Sequence, residues 1–242
     1  MIANRGIEHS NIKFAISSLG DDGLFLDEQN DFEKLGVNWE KYWKGQGVDG
    51  ATVMFMEQTH GDIVTTINHL PKNPRIIPLA DAMITQAPKI FLAVKSADCL
   101  PVLLYDPIRK VVAAVHAGWR GTAKKILQKV VRQIKEGGSG AKNIYALLGP
   151  SICSHCYDVT DSKDDRITLF EEKFGSAGVV RTNKKVFLDV LGANKLMLKN
   201  EGILEKNIVN VSDCTIHGVV AYPSNYKDKD SRRLISMIGM IS

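Results

Sequence analysis

The sequence predicts an α/β (α+β) fold, a mixed β-sheet with helices on its faces. Three observations carry this. Apolar runs of strand length recur at 51–56, 102–105, 111–115 and 144–148. Apolar residues at helical spacing run from Ala123 to Ile134, with lysines and an arginine between them. Strands and helices mix along the chain without strict βαβ alternation. The 242 residues suffice for one large domain with a real core.

Composition narrows the function class. Hydrophobic residues are 44% and charged residues 24%, as in ordinary globular proteins. A net charge of +4 is too mild to argue for nucleic acid, and Lys227 to Arg233 mixes signs like a solvated loop. The first eleven residues lack a signal-peptide pattern, and no window reaches the ~18 apolar residues of a membrane span. Four cysteines are too few for a disulfide scaffold. A cytoplasmic protein with reduced thiols is expected.

The elements follow in order. Residues 1–49 are the least patterned. Ile12 to Ile16 alternates like a strand, Gly20 to Gly23 is a loop, and Asp31 to Trp43 reads as a short helix that Gly45 and Gly47 end. Ala51 to Met56 is a buried strand leading into Glu57-Gln58-Thr59-His60-Gly61-Asp62, and Ile63 to Ile67 resumes strand character. Pro71 to Pro78 is a proline-punctuated connection. Val102–Tyr105 and Val111–Val115 are strands joined by the Asp106-Pro107 turn. The amphipathic helix after them starts near Gly118 to Thr122 and stops at Gly137-Gly138. Ile144 to Leu148 is a strand, Asp164 to Phe174 and Leu188 to Asn200 are helical, and Ile208–Val211 and Val219–Tyr222 are strands.

The hairpin organises the chemistry. If its turn centres between Pro107 and Ile108, Tyr105 faces Lys110 and, further out, Cys99 faces His116. Directly opposed side chains have Cβ atoms roughly 4.5–5.5 Å apart, close enough to share one ion. His60, Cys99 and His116 then form a set of two imidazoles and one thiolate, suited to Zn²⁺ with an open fourth position. The same Cys99 and His116 also suit a nucleophile and its base, with Asp98 or Asp81 orienting the imidazole. The free N–H groups of the helix start beside His116 favour an anion, with Arg120 to help. Trp119 is either a stacking surface for a ring or a packed helix-start residue. Cys153-Ser154-His155-Cys156 is one CxxC without a second pair, a poor zinc signal, and reads as loop and core. Cys214 reads as a small core residue. His9, His69 and His217 have no partner visible in the sequence.

Several spaced motifs together resemble the YfiH family. These are Gln58-Thr59-His60-Gly61, Asp81-Ala82-Met83-Ile84-Thr85, Ala97-Asp98-Cys99-Leu100-Pro101 and His116-Ala117-Gly118-Trp119-Arg120-Gly121, continued by Gly149-Pro150-Ser151-Ile152, Cys156-Tyr157, Leu188-Asp189 with Asn194-Lys195, and Cys214-Thr215. The family is also called the polyphenol oxidase or laccase-domain family, and its members are now usually named purine nucleoside phosphorylases. The resemblance is strongest over residues 50–220 and implies a single domain over 1–242 in a layered sandwich. It implies that His60, Cys99 and His116 hold one zinc ion. It also implies phosphorolysis of adenosine, inosine and S-methyl-5′-thioadenosine, with adenosine deamination as a second activity. A three-donor Cys/His site without a further histidine cluster is a poor basis for multicopper chemistry, so copper is the less favoured metal. The chain departs from the family where Phe14 to Gly23 lacks an expected arginine, and where the late arginine segment is replaced by Tyr226-Lys227-Asp228, with Arg232-Arg233 following.

The expected partners are a nucleoside and phosphate, with no nucleic acid or membrane. The expected catalytic residues are Cys99, His116, Asp98 as proton shuttle and Arg120 as phosphate ligand. Two other readings remain: an amide hydrolase using Cys99 and His116, of the kind that edits a peptidoglycan precursor, and a non-enzymatic zinc-stabilised binding module.

Overall fold

A computed structural model of the chain describes residues 2–3, 11–26, 31–69, 75–211 and 213–242. His9 and residues 71–74 of the proline-punctuated connection lie outside the described residues. Among those residues, no helix is long and apolar enough to cross a membrane.

The strands are β1 (Ile2–Ala3), β2 (Ile12–Ile16), β3 (Thr52–Met56), β4 (Val64–Ile67), β5 (Ile76–Ile77), β6 (Ala82–Thr85), β7 (Ile90–Ser96), β8 (Leu100–Asp106), β9 (Val111–Ala117), β10 (Tyr145–Leu148), β11 (Val179–Arg181), β12 (Val186–Leu188), β13 (Ile208–Asn210) and β14 (Leu234–Met240). The helices are α1 (Phe32–Gly45), α2 (Trp119–Ala123), α3 (Ile126–Glu136), α4 (Arg166–Phe174), α5 (Val190–Asn200) and α6 (Asn225–Asp228). Two mixed sheets result, ordered β1-β2-β14-β7-β3-β5 and β13-β10-β8-β9-β6-β4, with β11-β12 as a small ribbon.

Four layers follow from the strand pleat, which sends alternate side chains to opposite faces. In β8, Val102 and Leu104 join a core shared with α3, α4 and α5. Leu103 and Tyr105 join the core between the two sheets, with Phe14, Met54 and Leu92. In β9, Val111, Ala113 and Val115 take the helical side, while Val112 and Ala114 take the inter-sheet side. The outer face of the first sheet is covered by α1 through Trp39 and Trp43, and Trp43 stacks on Phe91 with centroids 4.4 Å apart. Both faces of β8 and β9 are therefore buried, which explains their continuous apolar runs. Asp31 caps α1 by accepting from Lys34 N–H at 2.9 Å.

Four expectations need correction. The hairpin turn lies one residue later than the sequence suggests. Asp106 stays in the ladder opposite Val111, its carboxylate accepts from the N–H groups of Ile108 and Arg109, and Lys110 takes the left-handed conformation that closes the turn. Tyr105 consequently faces Val112, and Pro101, not Cys99, faces His116. The helix after His116 is broken in two, because Lys125 adopts φ 62° between α2 and α3. Residues 219–222 are not a strand. The Asp213 carboxylate accepts from Val219 and Val220 N–H there, and Val219 is fully exposed. Finally β14, central in the first sheet and wholly buried, has no counterpart in the sequence reading.

Candidate metal centre

His116 is the last inward side chain of the Val112–Ala114 row, at the end of the inter-sheet layer. Cys99 precedes β8 by one residue. Continuing the ladder outward from Leu100–Ala117 sets Cys99 opposite Gly118. A Cβ on Gly118 would stand 2.9 Å from Cys99 Sγ and 3.4 Å from His60 Cδ2. The missing side chain is what leaves room for the thiol between the two imidazoles. His60 comes from the loop after β3 and holds a left-handed φ of 57°.

Asp81, at the entry to β6 and fully buried, fixes the group. Its carboxylate accepts from the N–H of Thr59 (3.1 Å), His60 (3.0 Å) and Gly61 (2.7 Å), and from Thr59 Oγ1 (3.0 Å). It also holds His116 Nδ1 at 2.8 Å. The His116 N–H donates to Asp81 O at 2.8 Å. With Nδ1 committed to Asp81, Nε2 is the nitrogen left for a ligand, the usual carboxylate–histidine–metal arrangement. The His60 and His116 rings lie 4.8 Å apart, nearly perpendicular. One donor atom from each of His60, Cys99 and His116 falls within 4.8 Å of the others.

Without an ion, the electrostatics favour a thiolate beside a protonated imidazole, whose Nε2 proton a metal ion would displace. Burial would raise the Cys99 thiol, but the charge and hydrogen bonding of His116 and His60 overcome it and bring the thiol down to about 6. Burial would lower His116, but the Cys99 charge and the Asp81 hydrogen bond raise it to about 9. Burial would raise Asp81, and the hydrogen bonds from His116, Gly61 and Thr59 hold it instead at about 2. One thiolate, two imidazoles, an outer carboxylate on one histidine and an open side fit a metal ion of the zinc class. Gly118→Ala gives a direct test of the packing. Its φ of −69° suits alanine, so only the Sγ contact opposes the methyl group. The expected result is a loss of about 1–3 kcal/mol together with weakened metal binding, read by denaturant titration and metal analysis.

The three donors open into a cavity of about 340 Å³. Trp119, Tyr157 and Tyr226 supply aromatic wall, and Lys95, Lys229 and Arg233 line the cavity as well, the Lys95 ammonium lying 4.8 Å from the Phe32 ring centroid. Burial lowers the pKa of Lys95, with the nearby Arg233 charge adding to the effect. Arg233 is thus the late arginine that reaches the cavity, while Arg232 pairs with Asp230. Arg120 does not line the cavity. It lies 4.4 Å from the Trp119 ring, which Arg166 approaches to 4.7 Å. The helix start expected to bind an anion belongs to the five-residue α2, too short to supply a full helix terminus. Asp98, at the cavity edge, has both oxygens engaged: Oδ1 accepts from Thr215 Oγ1 at 2.6 Å and Oδ2 from Tyr226 N–H at 2.7 Å. Asp98 also sits at φ 82°, and its carbonyl accepts from Ile152 N–H at 3.0 Å.

The sequence reading gave Asp81 no preference over Asp98, and it missed Lys95 and Lys229. A lysine in an apolar strand (Phe91 to Ser96) was the available signal for the former. Cys214 and His217, read as solitary, lie against Cys153 and Cys156 in a second cluster whose donor atoms are also within 4.8 Å of one another.

Residues 21–241 match the family described as multi-copper polyphenol oxidoreductase laccase. A relative from Bacillus subtilis, the purine nucleoside phosphorylase YlmD, is 31% identical over 195 residues, 77% of this chain and 70% of that one. The adenosine deaminase RL5, from an unknown prokaryotic organism, is 31% identical over 179 residues, 70% of this chain and 67% of that one. The crystal structure of the hypothetical protein YfiH of Bacillus licheniformis superposes with a TM-score of 0.78 at 25% identity, covering 94% of this chain and 92% of the other. That similarity agrees with the layered mixed-sheet architecture described above.

Proposed function

The chain belongs to the multi-copper polyphenol oxidoreductase laccase (YfiH) family, and from that premise we propose that it is a zinc-dependent purine nucleoside enzyme. Its main reaction is phosphorolysis of adenosine, inosine or S-methyl-5′-thioadenosine, with adenosine deamination as a side activity. The observation that carries the reading is one cavity holding both a three-donor Cys/His cluster and three cations beside aromatic wall. The names of the Bacillus subtilis and RL5 relatives give the substrate class.

His60, Cys99 and His116 would hold the ion, and zinc bound there would supply Lewis acidity toward the substrate. Asp81 keeps the proton on His116 Nδ1 and so keeps Nε2 a donor. Lys95, Lys229 and Arg233 hold the phosphate dianion by charge-assisted hydrogen bonds. Tyr157 and Tyr226 hold the purine by stacking, while Trp119, whose ring Arg120 and Arg166 cover, closes the wall against water. Asp98 enters as a positioning residue, because its oxygens tie Tyr226 and Thr215 in place. In this scheme Arg233, not Arg120, is the arginine on phosphate. Arg233→Ala is expected to raise the KM for phosphate more than that for inosine, whereas Arg120→Ala leaves both KM values within about twofold.

One observation favours a second reading. Cys99, His116 and Asp81 stand in the order thiolate, imidazole and carboxylate, which is the layout of a cysteine hydrolase. Alkylation of Cys99 that substrate slows and a chelator leaves unchanged points to that reading. Loss of turnover on chelation, restored by zinc, points to the nucleoside enzyme.

A further inference from the structure

Cys153, Cys156, Cys214 and His217 stand away from the site above, and each offers one donor atom within 4.8 Å of the others. The two halves of the cluster have the same design. Cys153 and Cys156 flank a turn in which Cys153 O accepts from the N–H groups of Cys156 (3.0 Å) and Tyr157 (3.1 Å). Cys214 and His217 flank a second turn, closed by Gly218 N–H on Cys214 O at 2.7 Å. Ser151 and Cys214 form a parallel bridge, and Ser151 N–H and O bond to Asp213 O and Thr215 N–H. This clamp sets the two turns side by side.

We propose that this C-x-x-C and C-x-x-H pair is a second, structural zinc site. The donor chemistry is that of closed four-coordinate zinc, three thiolates and one imidazole. The geometry is close to assembled. Zn–S bonds of about 2.3 Å in a tetrahedron place sulfurs roughly 3.8 Å apart, and sulfur and imidazole nitrogen roughly 3.6 Å apart. Cys153 Sγ and His217 Nε2 already lie 3.4 Å apart. Ile216 N–H points at Cys214 Sγ from 3.4 Å, an orientation that stabilises negative charge on the sulfur. Asp213 caps the loop on Val219 and Val220 N–H. A Cβ on Gly218 would collide with Asp213 Oδ1 at 2.1 Å, so the second turn is built for glycine there. A short-range reason for three thiols and an imidazole to converge at a partly exposed loop edge is an ion that they share.

The site has a consequence for the cavity. Ile152 and Thr215, one from each clamped loop, both bond Asp98 beside Cys99. A zinc ion joining the loops fixes that wall without touching the substrate.

The test is metal analysis of untagged, reduced protein loaded with zinc and dialysed. The wild type is expected to hold two equivalents, and Cys99→Ser one. Cys156→Ser and His217→Ala are also expected to hold one, and Cys99→Ser combined with His217→Ala none. His217 is exposed, so its alanine variant folds, which circular dichroism checks. Cobalt(II) titration of Cys99→Ser should give the strong near-ultraviolet thiolate charge-transfer band, weakened about tenfold or more in apparent affinity by His217→Ala. In the wild type, zinc should protect Cys153, Cys156 and Cys214 from alkylation. A Cys99→Ser protein that binds neither zinc nor cobalt overturns the proposal. So does a wild type that holds a single equivalent, lost with Cys99, or a disulfide among these three cysteines in the freshly purified protein.

Discussion

Asp81→Asn is expected to weaken metal binding about 10–100-fold, the usual cost of losing the outer carboxylate of a metal-bound histidine. It is also expected to destabilise the metal-free fold by about 1–4 kcal/mol. Five donors converge on this carboxylate: three backbone N–H groups, the Thr59 hydroxyl and His116 Nδ1. An asparagine keeps the shape but offers one acceptor oxygen and turns an NH₂ toward the remaining donors. Turned one way, the amide leaves the His60 N–H without an acceptor and forces His116 onto its other tautomer; turned the other way, it leaves the N–H groups of Thr59 and Gly61, at about 1–3 kcal/mol for each lost bond. Asp98→Asn is the contrasting case. Its two partners are one hydroxyl, which can turn to accept, and one N–H. The asparagine amide satisfies both, so about 1 kcal/mol or less is expected. Denaturant titration of the chelated proteins, paired with zinc affinity, separates the two carboxylates. Equal costs at both positions contradict the assignment of Asp81 as the residue that builds the site.

Cys99→Ala is expected to abolish turnover and to lower zinc affinity at this site by about 100-fold or more, since a direct donor outweighs an outer-shell one. The change should cost little stability in the absence of metal, because Cys99 is partly exposed and stands one residue before β8, outside the ladder. Its thiol faces the bare Gly118, so no close neighbour on that side loses a contact when the sulfur is removed. Zinc is expected to raise the Tm of the parent by an amount that grows with the logarithm of its affinity, and the part of that rise due to this site should vanish in the variant. A Cys99→Ala enzyme that keeps full, chelator-insensitive activity contradicts both the zinc and the thiol readings.

The strands nearest the chemistry were legible because burial on both faces leaves them almost purely apolar. The hairpin was legible in kind and wrong in register. Asp106-Pro107 announces a turn, but only the Asx bonds from Ile108 and Arg109 show that Asp106 itself stays in the ladder. The error moved Cys99 from His116 to Gly118 without changing its face, so the pair survived. The break at Lys124-Lys125 was invisible, because apolar residues keep helical spacing across it. There the left-handed Lys125 costs about 1–2 kcal/mol, offset when α3 packs on the second sheet. β14 went unread because Ser236 and Gly239 interrupt a short terminal run. Gly239 passes over Phe91 with 2.7 Å of room for a Cβ, a closeness that only the sheet reveals. The second cysteine cluster was hidden for a similar reason. Its two pairs are far apart in sequence, and only the Ser151–Cys214 bridge brings them together.

If His60, Cys99 and His116 serve a nucleoside reaction, zinc content and inosine turnover rise and fall together. The most direct test measures zinc content and inosine turnover on the same untagged preparations of the parent and of Cys99→Ala. The parent should release hypoxanthine only when phosphate is present, lose that activity on chelation and regain it with zinc, while Cys99→Ala holds one zinc fewer per chain and releases none. A parent that holds no zinc at Cys99 yet releases hypoxanthine, or that holds it and turns over neither inosine nor adenosine with phosphate, contradicts the account.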